Sequence, residues 1–419
     1  MATTDGNSKH AAIRGIIRRY YTVVMIYSCA GGFLFGVYPI FLRSRGLNQF
    51  QINCVLAAFF TVLVVADVPT GAFADARGRR LSFVIGAIFR VVSWTIYFSA
   101  HRFPVFLLAE SIDGIGTTFC NGAIDAWGVD ALDDAGYDSP KDRLFSRLSQ
   151  LSSLGLMGSA VAGGYAANVN IAWPWLMGAA GFAISAVAGA ILMHDRRPHA
   201  ARIDVRSIPV QVGARVRDGL RLGFGIRPVL ILSTAGAITL AAWAPYWLEW
   251  PLFFHDRYAV GVWIVGWIYC LFTLGRMIGA EIVVRIAADE MTRARRVSML
   301  AICTGVLLFA AGSVGGRVNL ALAILFVVNL LSGVSTPLIS AWLNEHVPSE
   351  HRATVLSFNS TFQTVGGSGG LLAGGYVADA AGIPVGWQMA GLVALCAAPF
   401  YWALRPRAEP AAVAVGTAE

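Results

Sequence analysis

The sequence predicts an all-α membrane protein, with twelve transmembrane helices in two six-helix, pseudo-symmetric bundles. Three observations carry that prediction. Long apolar runs recur along the chain, lysine and arginine gather in alternate connections, and the two halves match each other. Of 419 residues, 56% are hydrophobic and 13% charged, and the mean hydropathy is +0.62. That composition is too apolar for a water-soluble domain. A helix needs about 20 apolar residues to cross about 30 Å of hydrocarbon, and runs of that length repeat here.

Residues 1–19 are polar and basic and read as a cytoplasmic tail. The start shows no short apolar core followed by a small-residue cleavage site, so no signal peptide is expected. Spans are predicted near 20–42, 51–74, 81–100, 104–127, 146–168 and 172–193, giving a first bundle over 20–193. An arginine-rich linker, 194–225, follows. The second bundle, 226–404, has spans near 226–250, 258–284, 296–314, 319–343, 354–378 and 383–404, before a cytoplasmic tail, 405–419.

Twelve spans put both termini on one side. The connections on that side hold 25 lysines and arginines, and those on the other side hold five. The positive-inside rule makes the terminus side cytoplasmic, in a multi-pass cell-membrane protein. The net charge of +8 then belongs to loops at an anionic lipid surface rather than to a nucleic-acid site. Six cysteines stand singly, which supports neither disulfides nor zinc. No metal, cofactor or enzymatic activity is expected. No Gly-x-x-x-x-Gly-Lys-Ser/Thr loop occurs, so an ion gradient, not ATP, is the expected fuel. Gly366, Ser368 and Gly370 spell G-x-S-x-G, but inside an apolar helix, where small residues serve close helix packing.

"YPIFLRSRGLNQFQINCVLAAFFT" and "WPLFFHDRYAVGVWIVGWIYCLFT" align with a constant shift. Pro39 meets Pro251, Arg45 meets Arg257, and Phe60-Thr61 meets Phe272-Thr273. "GLMGSAVAGGYAA" and "GGSGGLLAGGYVA" align with nearly the same shift, so Gly155, Gly163 and Gly164 meet Gly366, Gly374 and Gly375. Ala126-Trp127 resembles Ala341-Trp342, ahead of Asp130 and Glu345. Two six-helix repeats imply a pseudo-twofold axis along the membrane normal and a midplane site between the halves.

Between spans two and three stands "GAFADARGRR", Gly71 to Arg80. It resembles the loop signature of the major facilitator superfamily, Gly-x-x-x-Asp-x-x-Gly-Arg-Arg/Lys. "NEHVPSEHRATVLSFNS" resembles the matching stretch before span eleven. "DVPTGAFADARGRR" with "NGAIDAWGVD" is most similar to the drug:proton antiporter branch that contains tetracycline-resistance-like pumps. The resemblance covers about the whole chain and implies a monomeric secondary transporter. Gly71 lets helix backbones approach, and Gly78 can take the positive φ of a tight turn. The family pattern sets Asp75 against the positive N-terminus of span eleven. Arg79 can reach an acid at the end of span four, Asp130 first and Asp125 second. Such a cluster latches the halves at the cytoplasmic face; Arg77 and Arg80 read as positive-inside anchors.

Charge inside the bilayer costs at least about 2.5–3.5 kcal/mol per residue, so it marks function. Arg90 lies mid-span three. Glu110, Asp113, Thr117 and Asn121 form one stripe of span four, expected to face an aqueous cavity. Asp67 lies at a depth similar to Arg90. Asp113, Glu110, Arg90 and Asp67 are the proton-coupling candidates, with Asp113 favoured; Asp67 and Arg276 read first as structural. Many family members carry an arginine on span four before a Gln-Gly pair. Here Glu110 and Asp113-Gly114 stand there, and Arg90 is placed to supply the cation. Span five also departs: the family's Gly-x-x-x-Gly-Pro-x-x-Gly-Gly reads Gly155, Ser159-Ala160 and Gly163-Gly164, which weakens export against uptake.

In the family, spans one, four, seven and ten line the cavity. Span seven offers Trp243, Tyr246 and Trp247 on one face, with Trp250 assigned to an interface belt. Span ten offers Asn329, Ser332, Thr336 and Ser340, and span one Tyr27 and Tyr38. With Thr117 and Asn121 these suit a bulky, partly apolar small molecule. The expected function is proton-coupled efflux of such a molecule by alternating access. Proton-coupled uptake of a small polar solute is the alternative, and a non-transporting membrane sensor a less favoured one. The latch reading has a direct consequence. Asp75→Asn and Arg79→Ala each shift the population toward the form open at the terminus side without unfolding it. Double electron–electron resonance across those helix ends checks this, and unchanged distances in both mutants reject the latch.

Overall fold

The computed structural model describes residues 2–138, 141–195, 217, 219–285, 290–346 and 352–404. Most of the predicted linker and the predicted tail 405–419 lie outside these. Span one is Ala2–Gly32, resumed after a turn as Tyr38–Ser44. Spans two to six are Gln49–Arg77, Arg79–Ser99, Phe103–Asp134, Asp142–Val169 and Trp173–Leu192. Spans seven to eleven are Arg227–Tyr258, Val262–Arg285, Glu290–Ser313, Val318–His346 and Arg352–Ala381. Span twelve is Ile383–Leu395, continued by Ala398–Ala403. Residues 2–19 of the predicted tail are thus helical and continuous with span one.

Local signals place these ends. Asn48 and Gln51 form a reciprocal capping box at the start of span two. Prolines stand in the first turn of spans four, six, seven and twelve, where no N–H is needed. Gly78, at φ +107°, separates spans two and three with a single residue, as the loop signature predicts. Nine of the described helices are long and apolar enough to cross a membrane. Spans one, five and eleven are not among the nine. In these spans Gly32, Gly155, Gly163, Gly366 and Gly370 pack closely against neighbouring segments.

The contacts of those glycines reproduce the internal repeat. A Cβ on Gly155 would meet Met25 and Cys29 of span one, and one on Gly366 would meet Ala237 of span seven. Gly163 abuts Phe33 of span one, and Gly374 abuts Pro245 of span seven. Gly164 and Gly375 reach across to the other half, against Trp263 of span eight and Asn53 of span two. The prolines that align in sequence part company: Pro39 opens a short helix, whereas Pro251 lies within span seven. The break in span one brings Gly36, at φ +87°, against Val265 of span eight.

The halves meet where spans two and eleven, and spans five and eight, pack together. Among the described residues, most of the rings and hydrogen bonds that join them sit toward the far face, opposite the termini, with Cys270 Sγ to the Met157 carbonyl deeper in spans eight and five. Phe50 meets Tyr376, Phe35 stacks on Tyr269 at 4.7 Å, and Tyr165 stacks on Trp263 at 5.7 Å. Toward the terminus face a Cβ on Gly71 would meet nothing within 4 Å. The close helix approach predicted for Gly71 is absent here, and Asp75 beside it is exposed.

The G-x-S-x-G stretch lies inside span eleven, packed on span seven, as small-residue packing requires. A Cβ on Gly370 would collide with the backbone of Ala241, while one on Gly369 meets open space. Gly370→Ala is therefore expected to destabilise by about 1–3 kcal/mol through overpacking. Gly369→Ala is expected to gain up to about 1 kcal/mol of helix propensity. Thermal melting in detergent compares the two, and equal melting temperatures reject this packing account.

Candidate functional site

Spans three and four are drawn together by paired glycines. A Cβ on Gly86 would meet the Gly116 carbonyl at 2.6 Å, and one on Gly116 the Gly86 carbonyl at 2.7 Å. That approach lets Arg90 reach Asp113. Its Nε donates to Oδ1 and its Nη2 to Oδ2, both at 3.0 Å, a bidentate ion pair. Arg90 Nη1 donates to the Tyr27 hydroxyl at 2.9 Å, and Trp94 Nε1 donates to Asp113 Oδ1 at 2.8 Å. The guanidinium carbon lies 4.0 Å from the centroid of Phe182, with Tyr27 and Trp94 also in cation–π range. Gly178 of span six leaves the space that Trp94 fills. Next to this cluster Glu110 accepts a hydrogen bond from the Tyr97 hydroxyl. The Tyr97 ring stacks on Trp175 at 3.9 Å.

Glu110 and Asp113, each 6% exposed, edge a central cavity of about 310 Å³. Trp94 and Trp175 line it from one half, Trp247 and Trp250 from the other. A second cavity of about 390 Å³ lies within the other half, lined by Trp243, Thr336, Ser332, Asn359 and Gln363 among others. Several expectations need correction. Tyr246 and Asn329 are fully buried, and the Asn329 amide donates to the Tyr246 hydroxyl at 2.8 Å, so both serve packing. Trp250 is 1% exposed against Phe272, not in an interface belt. Tyr27 serves Arg90 rather than the cavity. Thr117 is buried, with its hydroxyl oxygen unpartnered in this arrangement, while Asn121 is exposed. The stripe on span four therefore does not face one space. Asp67 is exposed and takes no part in the Arg90 cluster.

A polar chain that sequence reasoning missed closes the far face. Arg43 donates to Gln49 Oε1 at 2.7 Å, and Gln49 donates to Asn53 Oδ1 at 2.8 Å. Asn53 Nδ2 then crosses to the other half, reaching Glu249 Oε1 at 3.1 Å and the Leu371 carbonyl at 2.9 Å. Asp379 of span eleven accepts from the Gln49 N–H at 3.1 Å, where span two has its positive end. Glu249 is 0% exposed. Its Oε2 has no partner, and Trp387 Nε1 faces the carboxylate without reaching hydrogen-bond geometry. An acid inside the apolar run "TLAAWAPYWLEWP" was the available signal, on the same criterion that singled out Arg90.

A family profile described as Major Facilitator Superfamily matches residues 20–370, with a second match over 232–419. The chain belongs to the Major Facilitator Superfamily. Among its relatives, the MFS-type transporter YxaM of Bacillus subtilis (strain 168) is 20% identical over 352 residues, covering 83% of this chain and 85% of that one. The quinolone resistance protein NorA of Staphylococcus aureus (strain MRSA252) is 24% identical over 176 residues, 42% of this chain and 44% of that one. Among solved structures, the nucleoside transporter NupG superposes with a TM-score of 0.70 at 14% identity, covering 93% of this chain and 98% of that one. A bacterial homologue of the human lysosomal transporter Spinster gives 0.68 at 14% identity, with 93% and 96% covered. These likenesses establish the fold: the chain is a multi-pass membrane transporter of the superfamily.

The superfamily loop is engaged within its own half. Arg79 Nη2 pairs with Asp75 Oδ1 at 2.7 Å, and Arg79 Nε lies 3.9 Å from Asp130 Oδ2. Asp130 is thus the acid near Arg79. Asp125 is not: it accepts the Tyr20 hydroxyl at 2.7 Å. Asp75 faces Arg79 rather than the start of span eleven, while the side chain of Glu345 and residues 347–351 lie outside what the structure describes. At the far face, Asn53→Ala removes the donor to both Glu249 and Leu371. A buried acceptor left unpaired costs about 1–3 kcal/mol, so the far-closed form loses most of its advantage. Spin-label distances between the far ends of spans two and eleven are expected to lengthen and broaden, and wild-type distances in the variant reject this role for Asn53.

Proposed function

We propose that this protein is a proton-coupled exporter of hydrophobic or amphipathic small molecules, working by alternating access. The observation that carries the reading is the buried Arg90–Asp113 pair beside a tryptophan-lined cavity whose far face is closed. The terminus face is read as cytoplasmic from its excess of lysine and arginine. The described conformation is then the one that loads from the cytoplasm, on the side where a Cβ on Gly71 would meet nothing within 4 Å. Trp94, Trp175 and Trp247 offer flat apolar surface to a bulky substrate. The relative named for quinolone resistance supports efflux of such molecules.

Protonation of Asp113 removes half of a bidentate ion pair and leaves Arg90 held by Tyr27 and the rings around it. That change moves the contact between spans three and four, next to the cavity wall. Glu110, joined to Tyr97 and through it to Tyr38, is the neighbouring acid on the same wall. Re-opening to the cytoplasm separates Arg79 and Asp75 from their latch position against span eleven. One observation favours the alternative of uptake of a small polar solute: the second cavity is lined by hydroxyl and amide groups, including Ser332, Thr336, Asn359 and Gln363. Proteoliposomes loaded with labelled compound, with the pH gradient applied in each direction, separate export from uptake. Export requires accumulation opposite to the proton flow.

The amide of Asp113 keeps its shape and never ionises. Asp113→Asn is therefore expected to abolish gradient-driven transport while substrate binding stays within about tenfold, roughly 1.4 kcal/mol. Counterflow, which needs no net proton movement, survives. Full gradient-driven transport in Asp113→Asn, with loss in Glu110→Gln or Asp67→Asn, assigns the proton to another acid. Retention in all three rejects coupling through this half.

A further inference from the structure

Arg276 is the second arginine inside a span, and the proton-coupling reading gives it no role. Span eight has a clear outer face, where Trp267, Leu271, Leu274 and Ile278 are exposed and apolar. That is the face lipid covers. Tyr269, Thr273 and Arg276 follow one another at spacings of four and three on the opposite face, one helical stripe turned inward. Tyr269 and Thr273 are buried along it. Arg276 comes next toward the terminus face, beneath the Phe35–Tyr269 stack that joins the halves. It therefore lies on the terminus side of that stack.

Its surroundings differ from those of Arg90 in one respect. Arg90 has a bidentate carboxylate. Among the described residues, Arg276 has no carboxylate within salt-bridge distance. The acids of the central cavity are already engaged, Asp113 by Arg90 and Trp94, and Glu110 by Tyr97. Arg276 instead lays its guanidinium over the Trp247 ring, 4.8 Å from the centroid, and Nη2 donates to Thr273 Oγ1 at 3.3 Å. A guanidinium has five N–H donors in a planar fork that matches a carboxylate or sulfonate. Stacking on an indole uses its face and leaves donors on its edge. Trp247 also lines the central cavity, and Trp243, one turn away on span seven, lines the second. Arg276 is not itself a lining residue of either cavity, but a half-buried cation with no acid partner among the described residues, stacked on a ring that does line one, fits a flat organic anion.

We propose that Arg276 is an anion-binding group beside the central cavity, stacked on the Trp247 ring that lines it, and that its ligand is an aromatic compound bearing a carboxylate or sulfonate. The ring packs on Trp247 and the acidic group pairs with the guanidinium edge. This rests on the transport reading for calling the ligand a substrate, but not for the binding site itself. It also replaces the structural role first read for Arg276: a brace for Trp247 needs stacking but no anion.

The full chain, purified in detergent, is titrated calorimetrically with 2-naphthoate and with its uncharged counterpart, 2-naphthamide. The acid is expected to bind at least tenfold more tightly than the amide. Arg276→Gln removes that preference and leaves amide binding unchanged, while Arg276→Lys, which keeps the charge without the fork, retains part of it. Equal binding of acid and amide by the wild type, or no binding of the acid, overturns the proposal without recourse to any variant. A preference that survives in folded Arg276→Gln overturns it too. Proteoliposomes showing no transport, with the acid preference intact and Arg276-dependent, reject the exporter and leave the anion site standing.

Discussion

The contact between the halves is made largely through glycines and their near neighbours, and the rest of the structure depends on it. Gly164 against Trp263 and Gly266 against Ala160 bring backbones close, and Gly375 makes room for the Asn53 side chain, with ring contacts between the halves confined to a few pairs such as Phe35–Tyr269 and Tyr165–Trp263. Interlocked large side chains would have to unpack when the halves part, whereas small-residue strips can separate with little rearrangement. The far face therefore needs something more selective than apolar packing to hold it. Asn53 and Glu249 supply it, together with Asp379 at the start of span two. The seal is directional and polar, and it can be broken at a few atoms.

Hydrocarbon offers no hydrogen bonds, so a polar group inside the spans must be matched by protein or by a water-filled cavity. Around Arg90 the first half meets this rule closely, although the Thr117 hydroxyl and the Trp175 Nε1 stay unpartnered. Arg90 has Asp113, the Tyr27 hydroxyl and three rings, and Asp113 also has Trp94. The second half meets it less completely. Glu249 has one oxygen occupied, and Arg276 has a ring and a threonine. A fully matched pair is stable until a proton changes one partner. Groups matched in part are suited to finding their partners in another conformation or in a ligand. The pseudo-twofold relates the helices of the halves, but not the chemistry placed on them.

Legibility in the sequence followed the same division. Glycine spacing, apolar length and arginine asymmetry are properties of whole helices, and they survive without knowledge of neighbours. The glycine pairs Gly163–Gly374 and Gly164–Gly375 accordingly mark equivalent contacts. Arg90 with Asp113 was readable because two opposite charges in adjacent apolar runs have few other options. Tyr246 and Asn329 were placed on the right kind of helix face, but a stripe cannot say what packs against it; the Asn329 amide donates to the Tyr246 hydroxyl, and its own Oδ1 has no partner. Trp250 lies near a helix end in sequence, yet Phe272 of span eight and Gly36 at the break in span one pack against it. Asn53 and Glu249 come from opposite halves, and no local pattern could join them.

The latch and the seal also constrain each other. In this conformation Asp75 is paired with Arg79 at 2.7 Å, four residues along the same turn, and is largely exposed. Its carboxylate is therefore neither buried nor held by the other half. Exposed ion pairs at this spacing contribute only a few tenths of a kcal/mol, so the pair does little to stabilise the terminus-open form. The seal at the far face, by contrast, includes a fully buried carboxylate whose accepted bond is lost when the halves part there. The terminus-open form is thus held mainly from the far side, and Asp75 and Arg79 remain available to whatever surface span eleven brings back. A transporter arranged this way spends the strength of its contacts at whichever face is closed, leaving the open face with groups exposed and weakly paired.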